Sequence, residues 1–112
     1  MLNCHCSDCR KANGSAYAPL IILPKGAVKV WGEPRFHKVL GGSGKAVERG
    51  FCPNCGSQVI VLIEKYPDAL AIQAGTLDDS TLYNPSVDIF TDSAPPWHHM
   101  HPTTKKFPKG RS

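Results

Sequence analysis

The sequence has no long hydrophobic run, no secretory leader pattern and no internal repeat, and the first two absences exclude whole classes of protein. The longest apolar runs, residues 18–23 and 59–63, are far too short to cross a bilayer. No opening stretch joins a basic flank to an apolar run, as a signal peptide does. We therefore expect a cytoplasmic protein with no membrane partner.

No segment carries an apolar stripe of ten residues at helical spacing, so we expect little helix. One short helix is predicted over residues 8–12, capped by Ser7 and ended by Asn13-Gly14, and a second of at most two turns over 77–83. Short apolar segments separated by glycine and proline predict an all-β fold with antiparallel strands. The predicted strands are residues 17–23, 28–31, 35–40, 46–51, 58–63, 69–74 and 87–91.

The length of 112 residues allows one domain, which we place at residues 1–102. Residues 103–112 are predicted to be a basic, flexible tail. A basic tail with a single aromatic, Phe107, is typical of a solvated segment, so we expect no nucleic-acid partner despite the formal net charge of +4. The tail's cationic residues are Lys105, Lys106, Lys109 and Arg111.

Five cysteines is an odd number, and two tight clusters favour metal ligation over disulfides in a chain with no secretory signal. Cys52 and Cys55 form a CxxC turn followed by Gly56, which is typical of a zinc knuckle. A redox CxxC has the same spacing, but such a motif usually opens a helix, and a strand is predicted to follow here.

Cys4, Cys6 and Cys9 supply three thiols within six residues. Three sulfurs can hold a tetrahedral Zn²⁺ and leave the fourth position for water or a substrate thiolate, which is how catalytic zinc sites differ from structural ones. The spacing also permits a single structural Cys₄ site, in which Cys6 and Cys9 join the later CxxC pair and Cys4 is spare.

Several polar residues are candidates for chemistry at such a site. Arg10 follows the last ligand and would either bind a substrate carboxylate or lie solvated on the surface. Asp78 is a candidate acid or base, although an aspartate at this position also suits a helix cap. His5 is expected to point away from the metal. His98, His99 and His101 form a histidine cluster, which near a tail is usually solvated.

These motifs resemble the glutathione-dependent formaldehyde-activating enzyme family, which includes the centromere protein V-type domains. The resemblance covers nearly the whole chain, in the family's order. It is carried by CHCSDCRKANGSAYAP, RGFCPNCGS, AGTLDDS and DIFTDSAPPW.

The resemblance implies a β-tent fold, in which stacked antiparallel sheets carry two zinc sites. Cys4, Cys6 and Cys9 match the catalytic site, and Cys52 and Cys55 match half of a structural site. A CxC motif upstream completes the structural site in the family, and none precedes Cys4 here. We therefore expect one zinc or fewer per chain, and a homodimer that covers the sheet edge left by the missing strand.

The function implied by the resemblance is that of a zinc-dependent carbon–sulfur lyase acting on a thiol adduct, similar to S-(hydroxymethyl)glutathione synthase. Its partner would be a small thiol substrate such as glutathione. The alternative is a non-catalytic zinc-binding module with a structural or interaction role, because a shared fold and ligand set do not fix the reaction.

Overall fold

The computed structural model describes residues 1–110, and these form two compact units. The first unit comprises residues 1–20 and 79–110, and the second comprises residues 21–78. The all-β class predicted from the sequence is confirmed, with one α-helix and several single 3₁₀ turns. The elements are β1 (Leu2–Cys4), α1 (Ser7–Asn13), β2 (Ala18–Pro24), β3 (Arg35–Leu40), β4 (Ala46–Phe51), β5 (Gln58–Ile63), β6 (Ala69–Gln73), β7 (Val87–Ile89) and β8 (Lys105–Lys106).

The second unit is an antiparallel meander in which β3, β4, β5 and β6 pair in chain order. Its buried apolar side chains come mainly from the last two of these strands, because their Val-, Ile- and Leu-rich segments fit a pleated, buried surface. They include Ile60, Val61, Leu70 and Ala71.

The predicted strand over residues 28–31 is wrong. These residues follow a 3₁₀ turn at Lys25–Ala27 and have no strand assignment. The side chain of Trp31 is 85% exposed. The apolar composition of this segment therefore reflects neither burial nor strand pairing.

The first unit is built around β1, which pairs antiparallel with the start of β2 and parallel with β7. β7 in turn pairs parallel with β8. These parallel pairs correct the prediction of purely antiparallel strands. Neither β1 nor β8 is predicted from the sequence, because strands of three and two residues are too short to show a period.

The helix α1 is close to its prediction, but its N-cap is Cys6 rather than Ser7. The Cys6 sulfur accepts a hydrogen bond from the backbone N–H of Cys9 at 3.3 Å. Gly14 ends the helix in the left-handed conformation, with φ +63°, which a glycine adopts without steric cost. The helix is seven residues long and has no fully buried residue, so it serves to space the cysteines.

Residues 104–109 are hydrogen-bonded to the rest of the first unit, although most of their side chains are exposed, which departs from the expectation of a flexible tail beginning at 103. The backbone N–H of Lys105 donates to Ser86 at 2.9 Å, and that of Phe107 donates to Asp88 at 2.9 Å. Thr104 is 8% exposed. Arg111 and Ser112 lie outside the described residues.

Among residues 1–110, no helix has the length and apolar character needed to cross a membrane.

Candidate metal centre

The thiols of Cys4, Cys6 and Cys9 converge at the start of the first unit. Their sulfurs all lie within 4.8 Å of one another, and no other group of three or more potential ligands is found in residues 1–110. Cys4 is the last residue of β1 and is buried, whereas Cys6 and Cys9 bracket the first turn of α1 and are partly exposed. A strand end followed at once by a helix start thus brings three side chains together.

The thiols of Cys4 and Cys6 differ in the direction of their pKa shifts. Side-chain hydrogen bonds with Cys6 and Cys9, and then burial, raise the pKa of Cys4. The same hydrogen bonds lower the pKa of Cys6, because the thiols of Cys4 and Cys9 and the backbone N–H of Cys9 stabilise its thiolate. The burial of Cys4 and the helix-capping position of Cys6 thus shift the pKa values of the two thiols in opposite directions.

The donor set fits Zn²⁺. Zinc–sulfur bonds of about 2.3 Å at tetrahedral angles separate the sulfurs by about 3.8 Å, which the cluster reaches with small side-chain adjustments. An N–H donor to a ligating sulfur, such as that of Cys9 to Cys6, also stabilises thiolate charge. Three protein ligands leave the fourth tetrahedral position for a non-protein ligand. The assignment of these cysteines to zinc stays a prediction.

Arg10 lies in the last turn of α1, directly after Cys9, and is half-buried. Its Nε is buried and has no hydrogen-bond partner in the described part of the chain. A buried donor without a partner lowers the stability of the fold by about 1–3 kcal/mol, so an acceptor placed at this Nε would be stabilising. The catalytic role predicted for Arg10 stays a prediction.

His5, which separates two of the cysteines, is fully buried and points into the unit rather than toward the sulfurs. Its Nε2 lies 2.7 Å from the carboxylate oxygen Oδ1 of Asp88. Because a carboxylate only accepts, Nε2 carries the proton, and Nδ1 has no partner among residues 1–110. Burial raises the pKa of Asp88, but hydrogen bonds from His5 and then Thr104 outweigh it and hold the pKa below its usual value.

Asp88 is not among the residues predicted from the sequence, although one signal for it exists. A carboxylate stands between Val87 and Ile89 in a strand that is otherwise apolar, and side chains alternate across a strand. Asp88 is 1% exposed and so needs buried partners. Those partners come from distant parts of the chain, so no local pattern could identify them.

His5 belongs to a cluster of three rings. The ring centroids of His5, Tyr17 and His98 lie 5.0–5.4 Å apart. Burial, and then the neighbouring His5, lower the pKa of His98, so its ring is neutral at neutral pH. The other two histidines of the predicted cluster, His99 and His101, are exposed, as expected for solvated side chains.

Cys52 and Cys55 lie in the second unit, in the turn that follows β4. The turn closes through a hydrogen bond from Gly56 N–H to Cys52 O at 2.8 Å, and Gly56 has φ +78°. The Sγ of Cys55 lies 3.1 Å from the Oγ of Ser57, and hydrogen bonds with this serine lower the pKa of the Cys55 thiol. The two cysteines of this CxxC turn form no disulfide, and their metal binding stays a prediction.

Asp78 also belongs to the second unit and is exposed, in the loop between two 3₁₀ turns. The adjacent Asp79 is the cap in this loop, since its carboxylate accepts from the backbone N–H of Thr81 at 3.1 Å. The capping role considered for Asp78 is therefore filled by its neighbour Asp79. The acid–base role of Asp78 stays a prediction.

The comparisons with known proteins agree with this arrangement. The family model for the glutathione-dependent formaldehyde-activating enzyme matches residues 1–93, which include all five cysteines. The chain belongs to this family. Membership indicates a function related to glutathione and formaldehyde. No curated protein is found to match the chain.

Proposed function

We propose that the chain is a zinc-dependent carbon–sulfur lyase that joins a small thiol, of which glutathione is the model, to formaldehyde. The observation that supports it is the convergence of Cys4, Cys6 and Cys9 within 4.8 Å, in a chain of this family. These cysteines would hold the metal, which when bound supplies a positive charge that stabilises a substrate thiolate at neutral pH.

The reaction is an addition to a carbonyl group. The S–H bond of the thiol breaks, a carbon–sulfur bond forms to formaldehyde, and the carbonyl oxygen takes up a proton to give the hydroxymethyl thioether. The protein's own residues would bind the thiol, orient it toward the electrophile and keep the reacting atoms together. The reverse sequence breaks the carbon–sulfur bond, which is why the enzyme is classed as a lyase.

Arg10 is the residue we expect to bind the substrate. Its half-buried guanidinium lies one residue after Cys9 and lacks an acceptor for Nε in residues 1–110. A carboxylate of the thiol substrate would supply this acceptor through a charge-assisted hydrogen bond. Arg10→Gln should therefore raise KM for glutathione by roughly tenfold, while Lys11→Gln, which removes a neighbouring exposed cation, should leave it unchanged.

The test measures the formation of S-hydroxymethylglutathione. NMR gives the rate of exchange between glutathione and formaldehyde, and zinc is measured in the same samples. We expect zinc-loaded protein to accelerate the exchange and Cys6→Ser to abolish it with loss of zinc. Zinc binding at the cluster without any acceleration would overturn the lyase proposal. It would favour a non-catalytic zinc-binding interaction module instead.

A feature of the second unit favours that second candidate. A largely apolar cavity of about 510 Å³ is lined by Val30, Trp31, Cys52, Val59 and Ile60, among others, and Trp31 is 85% exposed. Exposed aromatic surface of this kind often marks an interaction site. The double variant Cys52→Ser with Cys55→Ser tests whether this CxxC turn supplies zinc ligands, because the zinc content per chain should fall only if it does.

A further inference from the structure

The buried carboxylate of Asp88 joins three segments of the first unit. Its Oδ1 accepts from His5 Nε2 at 2.7 Å, and its Oδ2 accepts from the hydroxyl of Thr104. The ammonium of Lys106 lies 3.7 Å from Oδ2. The carboxylate is thus stabilised by the cysteine loop, residues 4–9, on one side and by the β8 segment, residues 104–106, on the other.

The cysteine loop is fixed at His5 through both its side chain and its backbone. The backbone N–H of His5 donates to Ile89 at 3.0 Å, while the ring bonds to Asp88, so one residue holds two links to β7. Because Cys4 and Cys6 flank His5, any rotation of this residue moves both sulfurs. The ring is not a ligand itself, since it does not belong to the group of converging donor atoms.

The β8 segment holds the other side of the carboxylate. Thr104 is buried, and Lys106 Nζ donates to its Oγ1 at 2.6 Å and to its carbonyl oxygen at 2.9 Å. These residues lie after residue 93, where the family match ends. The polar links that hold the carboxylate therefore include a segment that the family model does not cover.

We propose that the His5–Asp88–Thr104 hydrogen-bond chain is a positioning device that holds the three thiols in a metal-binding arrangement, with Thr104 as its outer anchor. The proposal rests on the proposed metal site. A ligand loop that is already held in place loses less conformational freedom when the metal binds. Mutation of the outer partners that orient metal ligands typically lowers metal affinity by about 10–100-fold. Thr104 is thus a positioning residue that contacts neither metal nor substrate.

The test compares Thr104→Val, which removes the hydroxyl at constant shape, with Thr104→Ser, which keeps it. Thr103→Val is the matched control, because Thr103 is exposed and its hydroxyl bonds only locally, to His101. Zinc affinity is measured by competition with a chromophoric chelator, and the thiolate-to-metal bands of the Co²⁺ form report the ligand geometry. In metal-free protein, alkylation rates of Cys6 and Cys9 by iodoacetamide are read by mass spectrometry.

We expect Thr104→Val to bind zinc roughly tenfold more weakly, to alter the Co²⁺ bands and to change the ratio of alkylation rates. Thr104→Ser and Thr103→Val should behave as the wild type. Wild-type affinity, bands and alkylation ratio in Thr104→Val, or equal losses in Thr104→Ser, would overturn the proposal. If Thr104→Val does not fold, Asp88→Asn, which keeps the shape and removes the charge, must show the same loss.

The failure of this inference is distinct from failure of the proposed function. Wild-type protein that binds no zinc would overturn the metal site, but the alkylation ratio in metal-free protein would still report whether Thr104 positions the thiols. A changed ratio in Thr104→Val alone supports the positioning role, and an unchanged ratio refutes it.

Discussion

Gly50 is the penultimate residue of β4, flanked by β3 and β5, and the packing there leaves no room for a side chain. Phe36 and Ile60 are its partners across the two neighbouring strands. A Cβ at this position would lie 2.4 Å from Ile60 Cγ2 and 2.8 Å from Phe36 Cε1. Ordinary carbon contacts need at least about 3.5 Å, so the neighbours would have to move by about 1 Å.

The two neighbours differ in their freedom to move. Phe36 is 43% exposed and can turn outward, whereas Ile60 is 7% exposed and fixed by the core. Overpacking of a core costs about 1–3 kcal/mol, and replacing glycine returns about 0.4–1 kcal/mol through the unfolded chain. We therefore expect Gly50→Ala to lower the free energy of unfolding by about 1–2 kcal/mol and the melting temperature by about 4–8 °C.

The assay is urea and thermal unfolding, followed by circular dichroism at a fixed zinc concentration. Gly42→Ala is the matched control, because a Cβ at Gly42 meets nothing within 4 Å. Ile60→Leu removes the γ-methyl that causes the clash, so the double variant should lose less stability than the sum of the single variants. An unchanged or raised melting temperature for Gly50→Ala would refute the argument.

Three further predictions concern the first unit. Hydrogen bonds from His5 and Thr104 hold the pKa of Asp88 low in the folded protein despite its burial. The ionised carboxylate therefore stabilises the fold fully above the unfolded pKa of about 3.9, and this stabilisation is lost as the pH falls through the folded pKa. Asp88→Asn should flatten this acid limb of the stability curve, in urea unfolding measured from about pH 5 down to about pH 2. Deletion of the chain after Pro102 removes β8 and the Thr104 anchor, so it should lower the melting temperature; a melting temperature equal to that of the full chain would contradict the contacts of this segment. The Tyr83 hydroxyl lies 2.7 Å from Leu2 O and 2.5 Å from Asn3 Oδ1, so Tyr83→Phe should cost about 1 kcal/mol in urea unfolding, and an unchanged free energy of unfolding would contradict this.

Local sequence patterns were sufficient for most strands of the second unit. The strands β3, β4 and β5 match their predicted bounds, because each is a six-residue segment between turn-forming residues. The segment at 28–31 shows the limit of such patterns. Its composition is that of a strand, but hydrogen bonds to a neighbour decide whether a strand forms, and residue composition does not record them.

The first unit was less predictable because its contacts join distant parts of the chain. The spacing of Cys4, Cys6 and Cys9 alone predicted the thiol cluster, since one short loop holds all three sulfurs. The parallel pairing of β1 with β7 joins residues 2–4 to 87–89, and no local signal specifies it.

The family, the β class and the set of thiols that could hold a metal can therefore be read from the residues alone. The support around those thiols depends on the fold. His5 and Asp88 are 83 residues apart in sequence, and Thr104 belongs to a segment whose composition suggested a solvated tail. The physical reason is that a buried carboxylate must find its donors wherever the fold places them.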